Sequence, residues 1–197
     1  MREMIKMVVV LTILSFFSGG VLAYLRNSTQ ERIDNQVLEF VKGPAVRTIF
    51  EGADNNPIAD RFTVKDGEVE RTFFVGSFDG EPQGIAFETS GKGYGGDVGL
   101  MVGINVKDNK LIGVGVTTHG ETPGMGARAK SDPSFVSQFK DLGLGEPFKV
   151  TADGGSINAL SGATITSRAV SAAATDAENI YQKLKPQIDE KLKAFKK

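Results

Sequence analysis

The chain has 197 residues, a formal charge of −1 at pH 7, no cysteine and a single histidine, His119. A charge this close to neutral gives no electrostatic footprint for nucleic acid as a partner. Without cysteine the chain holds no disulfide, Cys-ligated zinc or iron–sulfur cluster, and one histidine argues against a His-rich metal site or a His-based triad. Any redox chemistry would have to come from an organic cofactor. The 24 glycines fit many tight turns between strands.

In chain order, residues 7–25, MVVVLTILSFFSGGVLAYL, come first and carry no charge. They are just long enough to cross a hydrocarbon core of about 30 Å. Arg2 and Lys6 precede the run, which favours a cytoplasmic N-terminus of residues 1–6 and places the rest of the chain outside the inner leaflet. A cleaved signal peptide with Val21-Leu22-Ala23 at its end is the alternative. The uncharged run is longer than a usual signal core, so a retained transmembrane helix is the preferred reading. Residues 26–60 then read as a helical connector. Ile33, Val37, Phe40 and Val41 follow helical spacing, Gly43-Pro44 ends the pattern, and a short amphipathic piece around residues 46–50 follows.

Strand signals begin at RFTVKDGEVERTFFVGSF, where Asp66-Gly67 occupies a hairpin position between alternating residues. PQGIAFETSGKGYGGDVGLMVGINVKDNKLIGVGVTTHGE holds at least three more strands, with KDNK as a tight turn. Met101 and residues 73–78 read as sheet core. From Pro133 the texture predicts a short helix, a Gly-rich loop and a strand ending in EPFKV. The last helix carries one apolar stripe, Val170, Ala174, Ala177, Tyr181 and Leu184, which Pro186 interrupts; residues 186–197 read as a charged C-terminal tail. The fold class is α+β: an N-terminal transmembrane helix, then one antiparallel sheet flanked by helices.

SGATITS, residues 161–167, leads directly into that last helix. Ser161 is its expected N-cap, and the free N–H groups of the first turn, with the positive end of the helix dipole, suit a phosphate. Gly162 and Ala163 let a ligand approach closely. An ordinary capped helix has the same spacing, so composition alone goes no further.

SGAT followed by a second threonine resembles the flavinylation motif of the FMN-binding domain family. Members include the G subunit of the Rnf electron-transport complex and the C subunit of the Na+-translocating NADH:quinone oxidoreductase. In that family a flavin transferase joins FMN to the motif threonine through a phosphodiester. The matching residue here is Thr164, with Thr166 the first alternative. HGETPGMGAR, residues 119–128, resembles the family's ETPGLG loop, with Met125 in place of Leu. The resemblance makes His119, Glu121, Thr122, Pro123, Gly124, Met125 and Gly126 flavin-contacting residues, together with Ser161, Gly162, Ala163 and Thr166. GKGYGGDVGLMVGIN, residues 91–105, resembles the Gly-Tyr-x-Gly segment of the same domain, and the order of the three motifs agrees. One position departs: an acidic residue usual three before the serine is Asn158 here, with Asp153 further back.

The resemblance implies an FMN-binding domain over residues 61–185 and covalent FMN as cofactor. It implies a membrane subunit of an Rnf-type complex that relays electrons between neighbouring subunits and is matured by a flavin transferase. Other readings stay open: a C subunit of the quinone reductase, a stand-alone extracytoplasmic FMN carrier, and a cofactor-free membrane-tethered assembly module. His119 could meet a flavin edge or simply be solvated. Tyr94 reads as core or rim. A Ser or Thr hydrolase fares worst, because no base is paired with either hydroxyl in sequence.

Overall fold

The computed structural model describes residues 1–196. The chain divides into two compact units, residues 1–40 and residues 41 onward. In the first, α1 (Arg2–Gln36) is a single α-helix with no buried residue. Its apolar half and the polar stretch after it are one continuous element. At 1.5 Å per residue a helix of 35 residues is about 52 Å long, well beyond a hydrocarbon core. A window of mean hydropathy 2.2 makes it long and apolar enough to cross a membrane.

A π-helical turn, Val37–Lys42, precedes α2 (Gly43–Ile49). Gly43-Pro44 therefore opens a helix, where a stop was expected. Pro44 falls in the first turn of α2, directly after the π-helical turn, and proline is tolerated at such a helix start.

Five strands follow: β1 (Arg61–Asp66), β2 (Val69–Phe78), β3 (Glu81–Lys92), β4 (Asp97–Asn105) and β5 (Lys110–Val116). They form one antiparallel meander in the order β1-β2-β3-β4-β5. The turns explain the simple topology. Asp66-Gly67 and KDNK both close hairpins as the sequence predicts, and Asp79-Gly80 closes a third with φ of 53° and 75°, the left-handed pair that a tight hairpin needs.

The two faces of the sheet are covered differently. Phe73, Val75, Ile85, Phe87, Val102 and Ile104 share one core cluster with the last helix, α5 (Thr164–Leu192). The opposite face is lined at alternate positions by glycines. A Cβ on Gly103 would strike Ile49, and one on Gly84 would strike Phe50, so α2 and Phe50 lie almost against the strand backbones. Met101, Phe73, Phe74 and Val75 are buried as expected, whereas Phe78 is only half-buried.

Between β5 and α5 run α3 (Arg128–Ser131), α4 (Pro133–Val136) and two 3-10 turns, Ser137–Phe139 and Thr151–Asp153. The strand expected at EPFKV does not form. Gly145 has φ 131° and Pro147 has no donor, so only the single bridge Val150↔Ile157 appears. Phe148 and Val150 still enter the core.

α5 carries the expected stripe: Val170, Ala174, Ala177 and Tyr181 are fully buried and Leu184 nearly so. Pro186, expected to interrupt it, lies inside the helix. It is exposed, so water can satisfy the Gln182 carbonyl it leaves unpaired. Leu184 and Ile188, buried on either side, hold the helix down, each by about 1.5–3 kcal/mol of transfer free energy. Leu192 continues the stripe, while Lys191, Lys193 and Lys196 stay in solvent.

Candidate functional site

The start of α5 is built without a serine cap. Ala163 is the N-cap residue, with φ −133° and no side-chain capping bond. Ser161, expected in that role, is exposed and stands outside the helix. Gly162, at φ 77°, separates it from the first turn by a left-handed step that carries the Ser161 side chain away from the helix N–H groups. Ser167 organises the entry from inside the helix. Its hydroxyl donates to the Ala163 carbonyl at 3.0 Å and accepts from the Leu160 N–H at 3.0 Å.

The first main-chain bond of the helix runs from Ser167 N–H to Ala163 O at 3.0 Å. Thr164, Ile165 and Thr166 occupy the three preceding helical positions, and their N–H groups have no acceptor within the helix. The two threonines differ in side-chain environment. Thr166 is buried and its hydroxyl donates to Glu121 Oε2. Thr164 is half-buried, and among the described residues its hydroxyl makes no hydrogen bond.

Residues 117–126 approach this helix start from the end of β5. Thr117 is anchored by donating to Glu88, itself paired with Lys42 at 2.8 Å, while Lys130 donates to the Thr117 carbonyl at 2.7 Å. Two backbones then touch: a Cβ on Gly120 would sit 2.7 Å from the Gly95 carbonyl, and one on Gly95 would collide with the Gly120 carbonyl. Only glycine at both places allows the turn after β3 and the loop after β5 to meet.

Glu121 sits at the junction, buried to 6% exposure. Its Oε1 accepts from the Gly95 N–H at 2.8 Å, and its own N–H donates to His119 Nδ1 at 3.3 Å. Burial pushes its pKa up, but the Thr166 hydroxyl, the Gly95 and Tyr94 amides and the nearby His119 together outweigh burial and hold it below 4.5. The carboxylate is thus ionised at neutral pH.

These pieces enclose a cavity of about 510 Å³ lined by Tyr94, Glu121, Thr122, Met125, Gly126 and the first turn of α5 with Gly162 and Ala163. That size suits a small-molecule cofactor. Of the residues expected in the site, Glu121, Thr122, Met125, Gly126, Gly162, Ala163, Thr164 and Thr166 converge on it. Pro123 and Gly124 form the exposed tip of their loop, and Ser161 and His119 also lie off the wall. Tyr94 stands at the rim with 75% exposure.

Besides Tyr94, which the sequence placed only at core or rim, Ile165 is the lining residue that sequence reasoning missed. The available signal was its place between two threonines at a helix start, where an exposed apolar side chain has no packing purpose. Asp153 does not approach the cavity wall. It forms a two-pronged pair with Arg168, at 2.7 and 2.6 Å. Asn158 is exposed, and its backbone exchanges bonds of 2.7 and 3.2 Å with the Gln138 side chain.

Residues 93–179, which hold the Gly-Tyr turn, the 119–126 loop and the start of α5, match the FMN-binding domain family. The chain is 30% identical over 170 residues to the G subunit of the ion-translocating oxidoreductase complex of Methanosarcina acetivorans, covering 86% of this chain and 89% of that one. The protein of the same name from Pseudomonas aeruginosa is 30% identical over 182 residues, covering 86% of this chain and 84% of that one. Among solved structures, Shewanella oneidensis NqrC aligns with a TM-score of 0.53 at 26% identity, over 73% of this chain and 72% of that one.

Proposed function

This chain belongs to the FMN-binding domain family, with G subunits of ion-translocating oxidoreductase complexes among its relatives, and on that premise we propose that it is a membrane-anchored electron-relay subunit carrying FMN esterified to Thr164. The observation that carries the assignment is the contrast between the two threonines of SGATITS. Thr166 has its hydroxyl committed to a buried carboxylate, while Thr164 faces the cavity with its hydroxyl unengaged.

The residues present fit the group. When bound, FMN supplies the electron-carrying chemistry. The unpaired N–H groups and dipole of the first turn of α5 stabilise the single negative charge that a phosphodiester keeps. Met125, Ile165 and Tyr94 offer apolar and polarizable surface, which suits a flat aromatic ring. The hydroxyl needs no neighbouring base, because a separate flavin transferase performs the esterification.

The anchor is α1, with residues 1–6 on the cytoplasmic side and the sheet domain on the extracytoplasmic face of the inner membrane. The partners are the other membrane subunits of an Rnf-type complex. The fold likeness to NqrC is compatible with a C-subunit role, but the G subunits of Methanosarcina acetivorans and Pseudomonas aeruginosa align over 89% and 84% of their length, against 72% for NqrC, and favour the Rnf-type reading.

The test is a pair of valine variants, each exported with the transferase. Thr164→Val loses all fluorescence that survives denaturation, while Thr166→Val keeps it. Flavin retained in Thr164→Val and lost in Thr166→Val would move the ester two residues along the helix.

A further inference from the structure

Glu121 is a buried anion without a buried cation. Among the described residues it forms no ion pair, and its charge is held mainly by dipoles, the Gly95 N–H on Oε1 and the Thr166 hydroxyl on Oε2, with the Tyr94 amide and the half-buried His119 adding to them. The space around it is cut to a carboxylate. A Cβ on Gly93 would lie 2.5 Å from Oε1, and one on Gly126 would lie 2.5 Å from Oε2 and 2.6 Å from the Thr166 hydroxyl. Each oxygen therefore has a glycine against it and a donor aimed at it. The donors come from two chain segments, and Glu121 itself belongs to a third.

We propose that Glu121 is the positioning residue of this cavity, a fixed negative charge that ties the 93–96 turn, the 119–126 loop and the first turn of α5 into one wall and lowers the reduction potential of the flavin held there. The effect on potential rests on FMN occupying the cavity as proposed above; the tie does not. An electron added to a group in the cavity brings negative charge next to an anion already on its wall, and because Glu121 is itself buried that repulsion is screened less than between two charges in water. The depressed pKa of Glu121 supports a charge that persists throughout the neutral range.

Two substitutions separate charge from tie. Glu121→Gln keeps the shape. Its amide oxygen can accept from Gly95, and its NH2 can donate to a Thr166 hydroxyl turned to accept. Glu121→Asp keeps the charge but is one methylene too short to reach both donors. Both are prepared as full chains, with and without coexpressed flavin transferase. The flavin-free protein is read by hydrogen exchange at the Gly95 amide, and the flavinylated protein by spectroelectrochemical titration.

In Glu121→Gln the midpoint potential shifts positive, and Gly95 exchanges about tenfold faster, as expected when a charged acceptor becomes neutral. In Glu121→Asp Gly95 also exchanges faster, while the potential stays closer to that of the wild type. A folded, flavinylated Glu121→Gln protein with an unchanged or more negative potential would overturn the effect on potential. Unaltered Gly95 exchange in Glu121→Asp would overturn the tie, even if Glu121→Gln failed to fold. Wild-type protein that takes up no flavin would instead refute attachment at Thr164, and the exchange arm would still decide whether Glu121 binds the three segments together.

Discussion

Replacing Thr166 with valine isolates one hydrogen bond at the centre of the site. The side chain is 2% exposed and its hydroxyl donates to the ionised Glu121 carboxylate. Valine keeps the β-branch and the volume. A hydrogen bond to a charged group is worth about 1.5–3 kcal/mol, and the added buried methyl returns about 0.8 kcal/mol. The net loss is about 1–2 kcal/mol, which for a unit of this size lowers the melting temperature by about 2–8 °C. The loss also depends on pH. Glu121 has its folded pKa below 4.5, so the stability it contributes is complete above about pH 4.5 and disappears as pH falls through the lower folded value. Thermal unfolding of full-length wild type and Thr166→Val, purified in detergent, should show a gap at pH 7 that narrows below about pH 4.5. Equal melting temperatures at pH 7, or a gap of the same size at pH 7 and pH 3, would refute the reasoning.

Ser161→Ala should leave stability within about 0.5 kcal/mol, because the exposed hydroxyl caps nothing; a loss near 1 kcal/mol in chemical denaturation would restore it as the helix cap. Gly91→Ala should cost about 3 kcal/mol or prevent folding, since its Cβ would collide with the Ala169 carbonyl where β3 passes under α5; denaturant unfolding reads it directly. Asp153→Asn should leave the unfolding midpoint close to that of the wild type, because the Arg168 pair it weakens is exposed to water and screened by salt. The same denaturant curves check it.

Much of the architecture could be read from local chemistry. The meander follows from Asp66-Gly67 and KDNK, each flanked by alternating apolar residues, and the stripe from Val170 to Leu184 marks one buried helix face. Three features were hidden because tertiary context outweighs a local rule. Pro186 ought to end a helix, but Leu184 and Ile188 anchor both sides of it. Gly43-Pro44 has the composition of a stop, yet it sits at the start of α2 directly after a π-helical turn, where proline is accommodated. EPFKV has strand-like residues, but Gly145 and Pro147 deny it a ladder while Phe148 and Val150 still find the core.

The site divides in the same way. That SGAT, ETPG and the Gly-Tyr turn belong together was legible from their resemblance to the motifs of one family, with which their order agrees. How they join was not. The contact between Gly95 and Gly120 and the bonds from Gly95 and Thr166 to Glu121 span up to 45 residues of sequence, and no periodicity records them. Ser161 shows the opposite failure: a serine before a helix reads as a cap, and a left-handed glycine after it removes it from that role.

The central claim is one ester bond, and an intact mass of the exported full-length chain, made with flavin transferase present and followed by peptide mapping, tests it most directly. The expected result is a gain of one FMN less one water, confined to the peptide containing Thr164. An unmodified polypeptide under those conditions, or a gain mapped to any other residue, would contradict it.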